Sequence, residues 1–204
     1  MKIIMNKKFI SKFLSFILIY LSSFVFIGCA NLGLPFLIGA TGVGVATKIL
    51  VDKRSAGAQL DDSTIESNLN NTYNNTIPNT NINVTSFNRA VLLTGQVPNP
   101  NLKQQAESIA NDHPNSRGVF NYLTVGPNSS ISSRSSDSLI TTKVKSTYLG
   151  SSSIKSRDIK VVTEEGVVYL FGIVTASEAD LARNTIAEKV GGVKKIVSLF
   201  EIQS

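Results

Sequence analysis

Residues 167–174 read Val-Val-Tyr-Leu-Phe-Gly-Ile-Val, eight residues dense in β-branched and aromatic side chains, which is the composition of a strand. The stretch has an echo. Val91-Leu92-Leu93-Thr94-Gly95 matches Val168-Tyr169-Leu170-Phe171-Gly172 at a shift of 77, and at the same shift Ile82-Asn83-Val84 returns as Ile159-Lys160-Val161 and Ile109-Ala110 as Ile186-Ala187. Farther out, Asp62-Ser63-Thr64-Ile65 returns as Asp137-Ser138-Leu139-Ile140 and Tyr73 as Tyr148 at 75, and Gly118-Val119 as Gly192-Val193 at 74. Small changes of shift place insertions in loops, so the chain holds two copies of one unit.

Each copy reads the same way. In the second, Asp137 is an N-cap candidate and Ile140, Val144 and Tyr148 recur at helical spacing, so a short helix opens the unit. Ile159, Val161 and Thr163 alternate, Glu165-Gly166 supplies a turn, and 167–174 completes a hairpin. Ser177 with Asp180 forms a candidate capping box before the apolar stripe Ala179, Ala182, Ile186 and Val190. Gly191-Gly192 ends that helix, and 193–202 is the last strand. The order α-β-β-α-β, with a right-handed crossover, puts the last strand parallel to the second. The fold class is α+β: in each unit, a mixed three-stranded sheet with two helices on one face.

The N-terminal part has a different character. Lys2, Lys7, Lys8 and Lys12 precede an uncharged run, Phe13 to Ala30, the layout of an export signal. An uncleaved membrane helix is the alternative, since eighteen residues just reach spanning length. Cys29, the single cysteine, ends this run. Phe26-Ile27-Gly28-Cys29 is similar to the site at which bacterial lipoprotein precursors are cut and acylated, although Phe26 stands where Leu is usual. The thiol would take a diacylglycerol group and the freed amine a third chain, which suffices for stable anchoring. A free thiol or an intermolecular disulfide is the other reading. By resemblance to Gram-negative sorting, Ala30 after the cysteine points to the outer membrane. The expected organisation is a signal peptide at 1–28, an acylated tether at 29–60, unit 1 at 61–125, a Gly/Pro/Ser-rich linker at 126–133 and unit 2 at 134–204.

The formal charge of +6 includes the signal, and without its four lysines 16 basic face 14 acidic residues, or +2. No basic stripe with matching aromatics remains, so nucleic acid is not an expected partner. Enzymatic readings lack support too. His113 is the sole histidine, and no cysteine or carboxylate cluster joins it as a metal site or a triad would require. Gly39-Ala40-Thr41-Gly42-Val43-Gly44 has the composition of a phosphate loop without its Lys-Ser/Thr. No cofactor is expected; the one non-protein group is the covalent lipid on Cys29.

The duplicated α-β-β-α-β unit, the glycine of each central strand (Gly95, Gly172) and the Val-Gly-Gly-Val turn before the last strand resemble BON domains. Thr47-Lys48, Asp52, Arg54-Ser55, Gln59, Asp61-Asp62, Asn83-Val84-Thr85 and Ile140-Thr141-Thr142-Lys143-Val144 extend the resemblance to outer-membrane lipoproteins with two BON domains. The resemblance implies an envelope protein, periplasm-facing, that binds anionic membrane phospholipid through its second BON domain and supports envelope integrity. The competing class is a periplasmic chaperone or adaptor that contacts outer-membrane proteins or their assembly machinery.

Two sets of residues in unit 2 could carry such contacts. In the central strand, Val168, Leu170, Gly172 and Val174 should face the helices, leaving Val167, Tyr169, Phe171 and Ile173 on a second face too apolar for water; unit 1 has Ala90, Leu92, Thr94 and Gln96 there. Tyr169 and Phe171 therefore pack against the other unit or meet an external partner. On the opening helix Leu139 replaces Thr64, with Lys143 one turn on and Lys145 nearby, a combination that suits an anionic bilayer surface; an isolated exposed leucine is otherwise an ordinary surface residue.

Overall fold

A computed structural model describes residues 52–203. The signal, Cys29, Ala30 and the glycine-rich stretch 39–44 lie outside the described residues. The elements in chain order are α1 (Ala56–Thr76), β1 (Asn81–Phe87), β2 (Ala90–Val97), α2 (Pro100–Asn111), β3 (Gly118–Asn121), β4 (Thr124–Val125), α3 (Ile131–Leu149), a 3₁₀ turn (Ser156–Asp158), β5 (Ile159–Glu164), β6 (Val167–Val174), α4 (Ala176–Lys189) and β7 (Lys195–Ile202). Two mixed sheets result. In each, a hairpin (β1–β2, β5–β6) is antiparallel and the returning strand (β3 with β4, β7) runs parallel to the central one.

Each sheet carries its two helices on one face over its own core. In domain 1 the core joins Ile65, Leu69 and Tyr73 of α1, Ala106 and Ala110 of α2 and Val91, Leu93 and Val97 of β2. Domain 2 repeats it with Ile140, Val144 and Tyr148, Ala179, Ala182 and Ile186, and Val168, Leu170 and Val174. The repeat extends to single hydrogen bonds. Tyr73 Oη donates to Ala106 O (2.7 Å) and Tyr148 Oη to Ala182 O (3.0 Å), so each tyrosine ties the two helices of its domain together. Burial pushes both phenols above their ordinary pKa.

Several local expectations need correction. Asp62 and Asp137 are not N-caps: α1 starts at Ala56, capped by Ser55, and α3 at Ile131, capped by Ser130, so both aspartates sit in mid-helix and are buried. Helix thus reaches into the stretches read as tether (29–60) and linker (126–133). The capping box of α4 is Thr175 with Glu178, two residues before the expected pair. The backbone N–H of Thr175 holds the Glu178 carboxyl below its usual range.

The aspartates serve the hairpin turns instead. Asn88-Arg89 and Glu165-Gly166 both have positive φ (49° and 67°, 50° and 80°), the two-residue geometry that matches strand twist but strains non-glycine residues. Asp62 accepts from the N–H groups of Asn88 (2.8 Å) and Arg89 (2.6 Å), and Asp137 from those of Glu165 (2.9 Å) and Gly166 (2.8 Å). A buried carboxylate on the opening helix therefore fixes the turn of each hairpin.

Candidate functional sites: a closed seam and an open helix

The two sheets meet through the faces opposite their helices. Phe87 and Leu92 of domain 1 and Tyr169, Phe171 and Ile173 of domain 2 form a third buried cluster. Phe171 stacks on Phe87 (centroids 5.9 Å apart) and meets Phe120 edge-on (6.4 Å), while Tyr122 meets Tyr169 edge-on (5.1 Å). Tyr169 is 4% exposed and Phe171 1%. Burial raises the Tyr169 phenol to about 12. In this structure the apolar face is covered by the other domain.

Polar groups extend the seam on both sides. Gln96, buried on the domain 1 face, accepts at Oε1 from Ser129 N (2.9 Å) and Asn81 Nδ2 (2.7 Å), and donates from Nε2 to Glu164 Oε1 (2.9 Å) across the seam. Asn83 donates to the other Glu164 oxygen (3.2 Å). Partial burial, with the Asp137 and Glu165 charges adding to it, raises the Glu164 carboxyl above its ordinary value against these two hydrogen bonds. Nearby, Lys160 Nζ bridges Glu66 Oε1 (2.7 Å) and Ser86 O (3.0 Å) of domain 1. On the other side Asn88 Nδ2 reaches both Glu201 oxygens (2.9 Å).

Sequence reasoning missed the part played by residues 52–54. Lys53 Nζ donates to Ile173 O (2.7 Å) and lies 3.8 Å from the carboxylates of Asp158 and Glu178, all in domain 2. Arg54 turns to domain 1, pairing with Asp62 (2.7 Å) while its guanidinium lies 4.5 Å over the Phe87 ring. It also holds Asp52 (2.7 Å), and that hydrogen bond keeps the Asp52 carboxyl below its usual range. Adjacent residues thus grip different domains. The available signal was a pair of cations directly before a capping serine, which composition alone does not distinguish from an ordinary charged tether.

The sequence-predicted lipid residues occupy a separate surface. Leu139 is 62% exposed on α3, and Lys143 and Lys145 are exposed on the same helix. Ile131 (81%) and Leu149 (74%) join Leu139. At about 100° per residue, Ile131 and Leu149 align and Leu139 lies about 80° away, with Lys143 beyond Leu139 and Lys145 beyond the other side of the arc. Three separate exposed apolar side chains, interspersed with Ser135, Thr142 and Ser146 on the same arc and flanked by the two lysines, thus lie on the outside of α3. Neither lysine has an acidic partner within salt-bridge distance among the described residues. The equivalent positions of α1 are Thr64, Asn68 and Asn70.

The BON domain model matches residues 61–127 and again 136–204, covering both repeats as folded here. The chain belongs to the BON-domain family. It is 38% identical over 183 residues to the outer membrane lipoprotein DolP of Haemophilus influenzae, covering 82% of this chain and 94% of DolP. It is 34% identical over 155 residues to a 21 kDa hemolysin of Actinobacillus pleuropneumoniae, covering 74% and 78% of the two chains. Osmotically-inducible protein Y of Escherichia coli is 26% identical over 160 residues, 76% of this chain and 80% of that one. With both domains and most of the DolP length shared, the protein is a DolP-like outer-membrane lipoprotein of the BON family. None of these relatives is named for a reaction. No helix among the described residues is long and apolar enough to cross a membrane.

Proposed function

We propose that the protein, anchored through acylated Cys29 and facing the periplasm, binds anionic phospholipid with the outer surface of α3 and in this way supports envelope integrity. The observation that carries the reading is the difference between homologous helices. Helix α3 bears Arg134, Lys143 and Lys145 against one aspartate that is spent on a hairpin turn, whereas α1 bears Asp61, Asp62 and Glu66 and no cation. Of the two opening helices, only α3 joins exposed apolar side chains to lysines that have no acidic partner among the described residues. Each lysine near an anionic surface is worth about 1 kcal/mol, and the leucine adds burial in the acyl boundary.

The chaperone or adaptor reading would act through Tyr169 and Phe171, and in this arrangement neither is accessible. Flotation of unacylated protein (residues 30–204) with anionic vesicles tests the lipid reading. Leu139→Glu is expected to abolish binding without unfolding the domain, since Ile140 and Val144 hold the core. Lys143→Glu with Lys145→Glu should weaken it, as should salt, because the Debye length falls from about 10 Å at 0.1 M to about 3 Å at 1 M. Thr64→Glu is the control. Equal loss from Thr64→Glu, or undiminished binding by Leu139→Glu, rejects α3 as the lipid surface.

A further inference from the structure

Five strands lie at sheet edges, and four of them are closed to further pairing. Strand β3 stops after four residues, and only the two residues of β4 resume the ladder. Strands β1 and β5 are bridged to one another by Lys160, which bonds Ser86 O, and by Asn83, which bonds Glu164, while Glu66 takes the Ser86 N–H. Such devices keep edges from accepting foreign strands. Strand β7 is bridged only near its C-terminal end, where Asn88 Nδ2 (2.9 Å) and Arg117 Nη1 (3.5 Å) of domain 1 reach Glu201. It runs for eight residues in unbroken register with β6, from Val167↔Lys195 to Val174↔Ile202, and no strand among the described residues lies on its other side. None of its residues is fully buried, whereas seven of eight are in β6. Beside it lies a cleft of about 490 Å³ lined by Ser198 and Phe200 of β7 and by Phe87 and Phe120 of domain 1, with Arg117 spanning it to Glu201 (3.5 Å).

The sequence along this edge is complementary to its own reverse about Ser198. Reading outward in both directions gives Val197 and Leu199, Ile196 and Phe200, Lys195 and Glu201. Antiparallel self-pairing centred on Ser198 would set serine against serine, valine against leucine, isoleucine against phenylalanine and lysine against glutamate, twice over by symmetry. The faces agree: Val197 and Leu199 pack in the seam, Lys195 lines the seam beside Tyr169, and Glu201 bonds Asn88 there, while Ile196 and Phe200 pack on the helical side. The backbone agrees as well. Gln203 N donates to Val174 O, and carrying that alternation back along the strand turns the N–H and C=O of Ile196, Ser198 and Phe200 to the free edge. Those are the residues that this register pairs by hydrogen bonds. A one-residue shift of either chain would break the parity.

We propose that β7 is a self-recognition edge, which pairs antiparallel with β7 of a second copy of this chain about a two-fold axis at Ser198 and joins two three-stranded sheets into one. The occupant is a second copy because opposite charges directly across a strand pair attract and like charges repel, and here both ends of the edge satisfy that rule with their own sequence. An isologous contact of this kind closes after two chains. The proposal is independent of the lipid surface on α3.

The experiment uses the full-length chain in its membrane. Ser198→Cys should form a covalent dimer with a short bifunctional thiol cross-linker, since the opposed Cβ atoms of a hydrogen-bonded pair lie about 5.5 Å apart, wider than a disulfide prefers but within the reach of such a linker. The unsubstituted chain, whose sole cysteine is Cys29, and Thr142→Cys, exposed on α3, should give no such band. In the Ser198→Cys background, Lys195→Glu alone and Glu201→Lys alone should each lower the yield about tenfold, because like charges then oppose each other at both ends. Co-expression of the two differently tagged variants should restore it as a heterodimer. Absence of the dimer from the Ser198→Cys variant, an equal yield from Thr142→Cys, indifference to the charge reversals, or a link from the new thiol to a different protein overturns the proposal.

Discussion

The central strands β2 and β6 occupy the same place in two copies of one unit, and seven of eight residues are buried in each, yet they end differently. Gly95 has φ of +105°, and the parallel ladder beside it lapses at Thr94 and Gly95 before β4 resumes it. Gly172 stays extended, and its ladder to β7 runs through without a gap. Domain 1 uses its kink to bury polar Gln96 and Thr94 at the seam, whereas domain 2 presents Phe171 and Ile173. Duplication supplied two equal frames. Divergence then left domain 1 with Thr94 and Gln96 buried beside Phe87, Phe120 and Tyr122, and domain 2 with Tyr169, Phe171 and Ile173, so that each sheet covers the other and the outer surfaces of α1 and α3 are left free to differ.

The largest expected effect breaks the seam. Phe171→Ala removes a ring that touches both Phe87 and Phe120, and truncations of this kind cost about 3–5 kcal/mol. Differential scanning calorimetry should show two transitions in place of one, as the domains lose their common interface; a single transition with an unchanged midpoint would mean that the seam contributes nothing to cooperativity.

The glycines come next and should not respond alike. A Cβ on Gly95 would collide with the backbone oxygen of Asn81, on a backbone that L-residues rarely adopt, whereas one on Gly172 would stand 2.6 Å from Asp158 O and 3.3 Å from the Phe200 ring. Gly95→Ala is therefore expected to cost about 2–4 kcal/mol and Gly172→Ala about 1–2 kcal/mol, as strain and overpacking do. Equal losses in denaturant titration would erase the contrast. The obstruction at Gly172 also corrects the expectation of a helix above it: Val168, Leu170 and Val174 face the helices, but what fills the space at Gly172 is the neighbouring backbone and a ring of β7.

The aspartates follow, at about 1–3 kcal/mol for a buried partner removed. Asp62 accepts from Ser86 Oγ (2.6 Å), two turn N–H groups and Arg54, while Asp137 accepts from two turn N–H groups. Asp62→Ala should therefore lower the midpoint of the common unfolding transition more than Asp137→Ala does; the reverse order would show that the Arg54 contact contributes little.

These residues mark where the sequence was legible. The doubled hairpin and helix pattern revealed the fold, because apolar period is set by burial and both copies kept it. The apolar side of 167–174 was visible as an anomaly, since a face of Tyr169 and Phe171 needs a cover. Cap positions were not legible. The Ser-rich stretch 130–136 has no apolar period to show helix, so Asp137, a good capping residue three positions before Ile140, looked like its start. Nor could one sequence show that Asp62 and Asp137 reach a turn more than twenty residues away, or that Lys53 and Arg54 part company to hold two domains. Such pairings depend on tertiary placement and leave no local trace.

The smallest effect concerns Glu164, where the polar side of the seam meets domain 2. Its carboxyl titrates higher in the folded protein than in the unfolded chain, chiefly because it is partly buried. The folded state then binds more protons between the ordinary value near 4.5 and the raised one, so this group favours folding at low pH, and that contribution is lost as pH rises through the folded pKa. Asp52 and Glu178 act oppositely: their lowered values add stability above the ordinary carboxylate range, and that is lost as pH falls through their folded pKa values. Glu164→Gln keeps an acceptor for Gln96 and removes the charge. Because Glu164 is only partly buried, screening holds the gain at neutral pH to about 0.5 kcal/mol or less, a rise in midpoint of roughly 1–2 °C for a chain of this size. As pH rises above the ordinary carboxylate range toward neutrality, the variant should lose less stability than the parent. A variant that melts lower than the parent at pH 7 would show that the Asn83 and Gln96 hydrogen bonds outweigh the burial of the charge, and that the seam depends on the carboxylate.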